Sequence, residues 1–326
     1  MEYSHLGLLL MLIDLTGNLE SPFVRDDMRN DALTGVFPAV SAEPNSVEAL
    51  KFAGFDLLTL ANNHLNDYKT KPVNFTVEIL KNNGILPFGY NYGSLENEKP
   101  QNPATVEVNG IKIGFLGYCK TFLVKKPKPT DKNFCNCNQK RRGLDAGPAI
   151  YEKEAVTRDV KDLKSKVDVI VVFMHWGVQY LTEPTELQRH QEAHLKSLGV
   201  HAIIGSHPHV LEGHSLKQHS LVAYSLGNFL FGPKNKNWWF YDNKNPSKKK
   251  VKEFEHYVAT EGKSDISLTS RILRVEINKK GVTRAAYLPL RIIQNQETKC
   301  FQTAPEKDAK WIRVCEDGDE DCLNET

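Results

Sequence analysis

The chain has 326 residues, of which 40% are hydrophobic and 25% charged, the composition of an ordinary globular protein. A formal net charge of +2 is too small to draw in nucleic acid by bulk electrostatics. No stretch reaches the roughly 18 apolar residues that a membrane span requires.

The first apolar run, Leu6 to Ile13, is preceded by Glu2 and followed by Asp14. A secretory leader wants a basic start and a small-residue cleavage site, so this run reads as a buried helix. Asp14 to Leu19 reads as a short strand ending at Asn18-Leu19-Glu20. Pro44 to Ala53 has helical spacing and stops at Gly54. Phe55 to Leu60 is a buried strand ending at Asn62-Asn63-His64, and Val73 to Asn83 is an amphipathic helix closed by Gly84. Asn109-Gly110 between Ala104–Val108 and Lys112–Tyr118 signals a hairpin. Residues 120–143, rich in Lys, Pro, Asn and Cys, read as a surface insertion with a solvated basic face.

Ala149 to Ser165 reads as a helix, and Asp168 to Met174 as an apolar strand running into His175. Thr185 to Leu198 is a helix closed by Gly199, and His201 to Ile204 is a strand leading to Gly205-Ser206-His207-Pro208-His209. Leu221–Tyr224, Asn228–Phe231, Ser267–Ile277 and Arg284–Ile293 read as further strands. The lysine-rich stretch from Lys234 to Lys252 reads as an exposed excursion, and after Gln294 the pattern fades. Strands alternating with helices predict a layered α/β domain.

The six cysteines do not have zinc-knuckle spacing: Cys135 and Cys137 are separated by a single residue. Cys315 and Cys322 bracket an acidic loop and are spaced to pair. The even count leans toward an oxidising, extracytoplasmic compartment; the alternative is six reduced cysteines. Asn74-Phe75-Thr76 and Asn324-Glu325-Thr326 match the glycosylation sequon, the first by chance on a predicted helix.

Chemistry is suggested by position. Four predicted strands end in polar clusters: Glu20; Asn63 with His64; His175 with Trp176; and His207 with His209. The carboxyl edge of an open α/β sheet is where ligands bind. One carboxylate, one amide oxygen and several imidazoles suit Mn, Fe or Zn rather than a sulfur-bound metal. In an extended His207-Pro208-His209 segment both imidazoles would project to the same side. Taken singly, Glu20 reads as a surface residue, His175 as a satisfied core histidine and His64 as the close of a turn; their shared placement favours a metal site. His5, His190, His194, His201, His214, His219 and His256 lack that placement and read as surface or packing residues. There is no G-x-S-x-G elbow and no phosphate-binding P-loop, and Cys119, the cysteine nearest the strand edge, has no basic partner.

Five segments resemble blocks of the capsule-synthesis CapA (PGA_cap) family: Asn18-Leu19-Glu20-Ser21-Pro22; Ala53 to His64 with Asp67-Tyr68; Phe173 to Gly177 with Pro184; Gly205 to Val210; and Tyr224 to Phe229. They occur in the family's order. The resemblance implies a four-layer α-β-β-α sandwich of the calcineurin-like metallophosphoesterase type, covering residues 1–294, with 295–326 as a polar tail. It also implies two divalent metal ions (Mn, Fe or Zn) held by Glu20, Asn63, His175, His207 and His209, with Glu20 bridging. His64 would face substrate as a general acid or electrostatic stabiliser, oriented by Asp67.

The family's first strand carries a Gly-Asp pair whose Asp is a ligand, so the resemblance implies a chain lacking that strand. Gln179 stands where a Glu is common after His-Trp-Gly. The expected function is a metal-dependent phosphoesterase-like hydrolase linked to poly-γ-glutamate synthesis or release, acting on an anionic polymer or phosphoester. The alternative is a non-catalytic module on the same fold, binding a polymer or partner with an incomplete metal site.

Overall fold

The computed structural model describes residues 15–32, 39–92, 101–121, 135, 146–230, 265–298 and 300–316. The expected helix over Leu6–Ile13, most of the insertion, the Lys234–Lys252 excursion and the Cys315–Cys322 pairing lie outside these residues. Among the described residues no helix is long and apolar enough to cross a membrane.

The chain opens with β1 (Leu15–Asn18), α1 (Val47–Phe52), β2 (Phe55–Thr59), α2 (Thr70–Asn82) and β3 (Leu86–Phe88). β1, β2 and β3 form a parallel three-stranded sheet. β4 (Tyr90–Tyr92) pairs with β7 (Ala146–Pro148), while β5 (Ala104–Val108) and β6 (Ile111–Thr121) make the expected hairpin. Its turn residues Asn109 and Gly110 both have positive φ, 49° and 73°, as a two-residue hairpin turn with matching twist requires.

α3 (Lys153–Lys164), β8 (Val169–Gly177), α4 (Glu186–Ser197), β9 (Ala202–Ser206), β10 (His214–Lys217) and β11 (Ser220–Ala223) follow. These strands complete a six-stranded sheet in the order β10-β11-β9-β8-β6-β5. β12 (Thr269–Asn278), β13 (Gly281–Gln294), β14 (Phe301–Pro305) and β15 (Ile312–Arg313) form a third sheet.

The layers follow from alternation along the strands. On β8, Val169, Val171 and Phe173 face one core, together with Leu57, Phe88, Val282 and Ala285 from the other two sheets. Ile170, Val172, Met174 and Trp176 face the opposite way, onto Val156, Val160 and Leu163 of α3 and Leu195 of α4. On β2, Leu58 turns away from the sheet–sheet core toward Val47 of α1 and Val73, Val77 and Leu80 of α2. A period-2 strand buried on both faces is thus packed by helices on one side and a sheet on the other. The result is the four-layer α-β-β-α sandwich.

Several boundaries differ from the sequence expectation. The helix expected from Ala149 starts at Lys153, because the preceding residues are taken by strand pairing. Ala149 donates to the Gly89 carbonyl and accepts from Cys119, and Tyr151 donates to the Cys119 carbonyl. Asn228–Leu230 is not a strand; only the isolated bridges Leu211–Leu226 and Gly227–Ser270 flank it. The segment expected to fade after Gln294 supplies β14 and β15, both paired to β13. Cys119 and Cys135 form a disulfide, and Cys315 is also disulfide-bonded, whereas Cys300 is free and exposed.

α4 begins with a capping box. The Thr185 hydroxyl accepts from the Gln188 amide and the Gln188 side chain accepts from the Thr185 amide. Gln188 also donates to Glu212 Oε2 at 2.8 Å, while Glu212 Oε1 is buried with no hydrogen-bond partner. Burial pushes the Glu212 carboxyl up from 4.5 to about 7. The folded chain therefore binds a proton there that the unfolded chain has released, so stability from this group is present below pH 4.5 and lost as pH rises through about 7. Urea melts of wild type and Glu212→Gln should diverge over that window. The variant should become the more stable above pH 7, by up to about 3 kcal/mol.

Candidate metal centre

Both sheets contribute to the centre through the carboxyl ends of parallel strands. Glu20 lies two residues beyond β1 and Asn63 four beyond β2, on the three-stranded sheet. His175 is on β8 and His207 follows β9 directly, on the six-stranded sheet. β8 and β9 are register neighbours, with His175 opposite Ser206.

The structure brings the five expected ligand residues together. Ligand atoms of Glu20, His175 and His207 all lie within 4.8 Å of one another. His175 Nε2 is 2.7 Å from Asn63 Oδ1, 3.2 Å from His207 Nδ1 and 3.4 Å from Glu20 Oε1. His209 Nε2 stands 3.9 Å from the same Glu20 oxygen. Glu20 Oε1 thus faces the Nε2 atoms of both His175 and His209. His64 stands to one side, its Nδ1 2.7 Å from Oδ2 of the buried Asp67. That carboxylate oxygen also accepts from the Val40 amide at 2.8 Å.

The route by which His207 and His209 converge differs from the extended segment expected. His207 has φ 98° and His209 φ 59°, so both lie in the left-handed region. The segment turns tightly instead of running on from β9, and the two rings end up 6.1 Å apart. A continued extension of β9 would have carried His209 past the sheet edge.

A second tier of side chains had no role assigned from sequence. Asn18 donates to Glu20 Oε2 at 3.2 Å and accepts from Asn62, which also donates to the Leu19 carbonyl. Ser206 Oγ lies 3.0 Å from His175 Nδ1. Asn228 donates to the carbonyls of His209 and Ser267 and places Oδ1 2.8 Å from His209 Nδ1. Those two donations fix the orientation of the Asn228 amide. Its oxygen must face Nδ1, so Nδ1 carries a ring proton while Nε2 faces Glu20. The Asn18-x-Glu20 spacing signalled Asn18; Asn228 stood in the last quoted block without an evident task.

The electrostatics of this cluster are compatible with a bound cation. Burial pushes the His207 imidazole well below its ordinary value, so that ring is neutral. Burial alone would raise the Glu20 carboxyl, but His175, His209 and His64 outweigh it, and Glu20 is held below the usual carboxylate range. Glu20 Oε1 is nonetheless buried with no hydrogen-bond partner. A buried carboxylate oxygen that lacks a hydrogen-bond donor is costly, and a cation at this position would satisfy it. The donors present, oxygen and nitrogen without thiolate, fit a borderline divalent metal.

The model of a family described as bacterial capsule synthesis protein PGA_cap matches residues 14–233. The chain belongs to the PGA_cap family. It is 31% identical over 223 residues to the PGA biosynthesis protein CapA of Bacillus subtilis, a match covering 67% of this chain and 53% of that protein. It is 29% identical over 219 residues to the capsule biosynthesis protein CapA of Bacillus anthracis, covering 67% and 50% respectively.

The chain therefore spans about half the length of the curated relatives it matches. Similar solved structures include the calcineurin-like phosphoesterase YfkN of Bacillus subtilis, at 14% identity and TM-score 0.34, covering 92% of this chain and 75% of that one. Another is the sulfate thiohydrolase SoxB of Thermus thermophilus, at 10% identity and TM-score 0.43, covering 75% and 34%. The PGA_cap match spans the four chain segments that end at the centre, from Glu20 through His209.

Proposed function

We propose that this PGA_cap chain is a metal-dependent phosphoesterase-like hydrolase. In this reading Glu20, Asn63, His175, His207 and His209 hold divalent ions, and His64 with Asp67 serves the substrate. The observation that carries it is Glu20 Oε1, buried without a hydrogen-bond partner and facing Nε2 of both His175 and His209. Bound divalent ions would supply Lewis-acid stabilisation of a phosphoryl-like group.

The protein's own side chains would do the rest. Glu20, whose other carboxylate oxygen accepts from Asn18, would be among the residues that hold the ions. His64, with Nδ1 tied to Asp67, would present Nε2 to a leaving-group oxygen and donate a proton there. Burial raises the Asp67 carboxyl, and the contact with His64 opposes that rise, so the pair is mutually dependent. The relatives are named for capsule and PGA biosynthesis, which suggests an anionic polymer such as poly-γ-glutamate as substrate, and a cationic centre would attract it.

The test is elemental analysis of the purified full chain, alongside hydrolysis of bis(p-nitrophenyl) phosphate with added Mn²⁺. Stoichiometric ion and measurable turnover are expected. His64→Ala should lower kcat by about a hundredfold or more with ion content unchanged. An ion-loaded protein without turnover, on this ester and on poly-γ-glutamate, would refute the hydrolase and leave a binding module.

A further inference from the structure

Three residues around the centre share the left-handed backbone region: Tyr180 (φ 61°), His207 (φ 98°) and His209 (φ 59°). Such conformations are strained for a residue with a side chain, and they persist only where surrounding contacts hold them. Here the three are joined. The Tyr180 amide donates at 2.7 Å to the carbonyl of Pro208, the residue between the two histidines. The Tyr180 ring stacks on the His209 imidazole, with centroids 5.8 Å apart and planes at 29°. Tyr180 comes from the chain leaving β8 and His209 from the chain leaving β9, so two strand ends are stitched together at the edge of the centre.

We propose that Tyr180 is a positioning residue for His209. Together with Asn228 it fixes the imidazole plane so that Nε2 faces Glu20, and the His209 side of the centre depends on it to retain a cation. This rests on the metal-centre reading above.

The Asn228 contact alone is insufficient. A hydrogen bond at Nδ1 anchors one ring atom and still tolerates tilting of the ring. A stacked ring removes the tilt. His209 Nε2 meets Glu20 at 3.9 Å, so a tilt of the ring carries it off that oxygen. The left-handed Tyr180 backbone has a purpose in this arrangement: an extended residue there would swing the ring off His209.

Two measurements on the full chain test this: calorimetric Mn²⁺ titration, and histidine side-chain ¹⁵N NMR of the metal-free protein. Wild type should show two uptake steps and His209 in a single tautomer with the proton on Nδ1. Tyr180→Ala should weaken one step by about tenfold or more, leave the other unchanged and average the His209 tautomer signals. Tyr180→Phe, which keeps the stacked ring, should behave as wild type. Tyr180→Gly tolerates the positive φ and provides the same loss should the alanine variant fold poorly.

A role in folding alone would lower the melting temperature without altering tautomer or isotherm. Unchanged His209 resonances and an unchanged isotherm in both the Ala and Gly variants would overturn the proposal. If wild type itself takes up no ion, the metal-centre reading fails, and the NMR comparison still decides whether Tyr180 orients the ring.

Discussion

Glu20→Gln is expected to abolish divalent-ion binding at the proposed centre while leaving the protein folded. The variant keeps the shape of the side chain and an oxygen to accept from Asn18, so the local hydrogen bonds of the loop after β1 survive. It removes the negative charge that faces both His175 and His209. Loss of supporting residues behind a metal ligand typically weakens binding ten- to a hundredfold. Loss of the only carboxylate among the five proposed ligands should weaken it by at least about a hundredfold. Calorimetric Mn²⁺ titration and elemental analysis after dialysis would measure this, with circular dichroism confirming the fold. A variant that retains stoichiometric ion would remove Glu20 from the centre and, with it, the proposed bridging geometry.

Gly205→Ala should be the most damaging single methyl in the chain's second sheet. Gly205 lies in β9, two residues before His207, and its α-carbon faces the backbone of Tyr224. An added Cβ would overlap the Tyr224 carbonyl oxygen and the Trp176 indole nitrogen, and stand 2.6 Å from the Tyr224 carbonyl carbon. The obstacle is backbone, and the indole is itself held there by its hydrogen bond to the Tyr224 carbonyl. Neither can rotate away as a flexible side chain would. Overpacking of this kind costs 1–3 kcal/mol where neighbours yield, and about 4 kcal/mol or more is expected here. Urea denaturation would report the loss as a lower midpoint, or expression would yield insoluble protein. A near-wild-type midpoint would mean that β9 moves more freely than its neighbours imply.

Much of the layer architecture was legible in the sequence because period-2 and helical patterns are local. The β8 run could be read as a continuous apolar strand, and Asn109-Gly110 marked the β5–β6 hairpin by the turn conformations those residues favour. The errors fall where distant partners override local preference. Residues 149–152 have helical spacing, but their backbone groups are claimed by Gly89 and Cys119, far away in the chain. Asn228 looked like the start of a strand and instead turns its amide to His209 and Ser267. The polar stretch after Gln294 carries no hydrophobic alternation, yet β14 forms because the edge of β13 offers a ready ladder.

For the centre, the sequence by itself determined which residue types stand at strand ends and in what order, since apolar runs stop where the buried sheet stops. That sufficed to place Glu20, Asn63, His175, His207 and His209 at one edge. Only the tertiary structure decided how they meet. The register of β8 against β9, the left-handed turn through His207 and His209, and the support from Asn18, Asn228 and Tyr180 all depend on contacts between residues far apart in the chain. Asn18 and His175, 157 residues apart, come within 3.5 Å only because two separate sheets pack face to face. Local spacing carries no information on that distance; the packing of the sandwich core sets it.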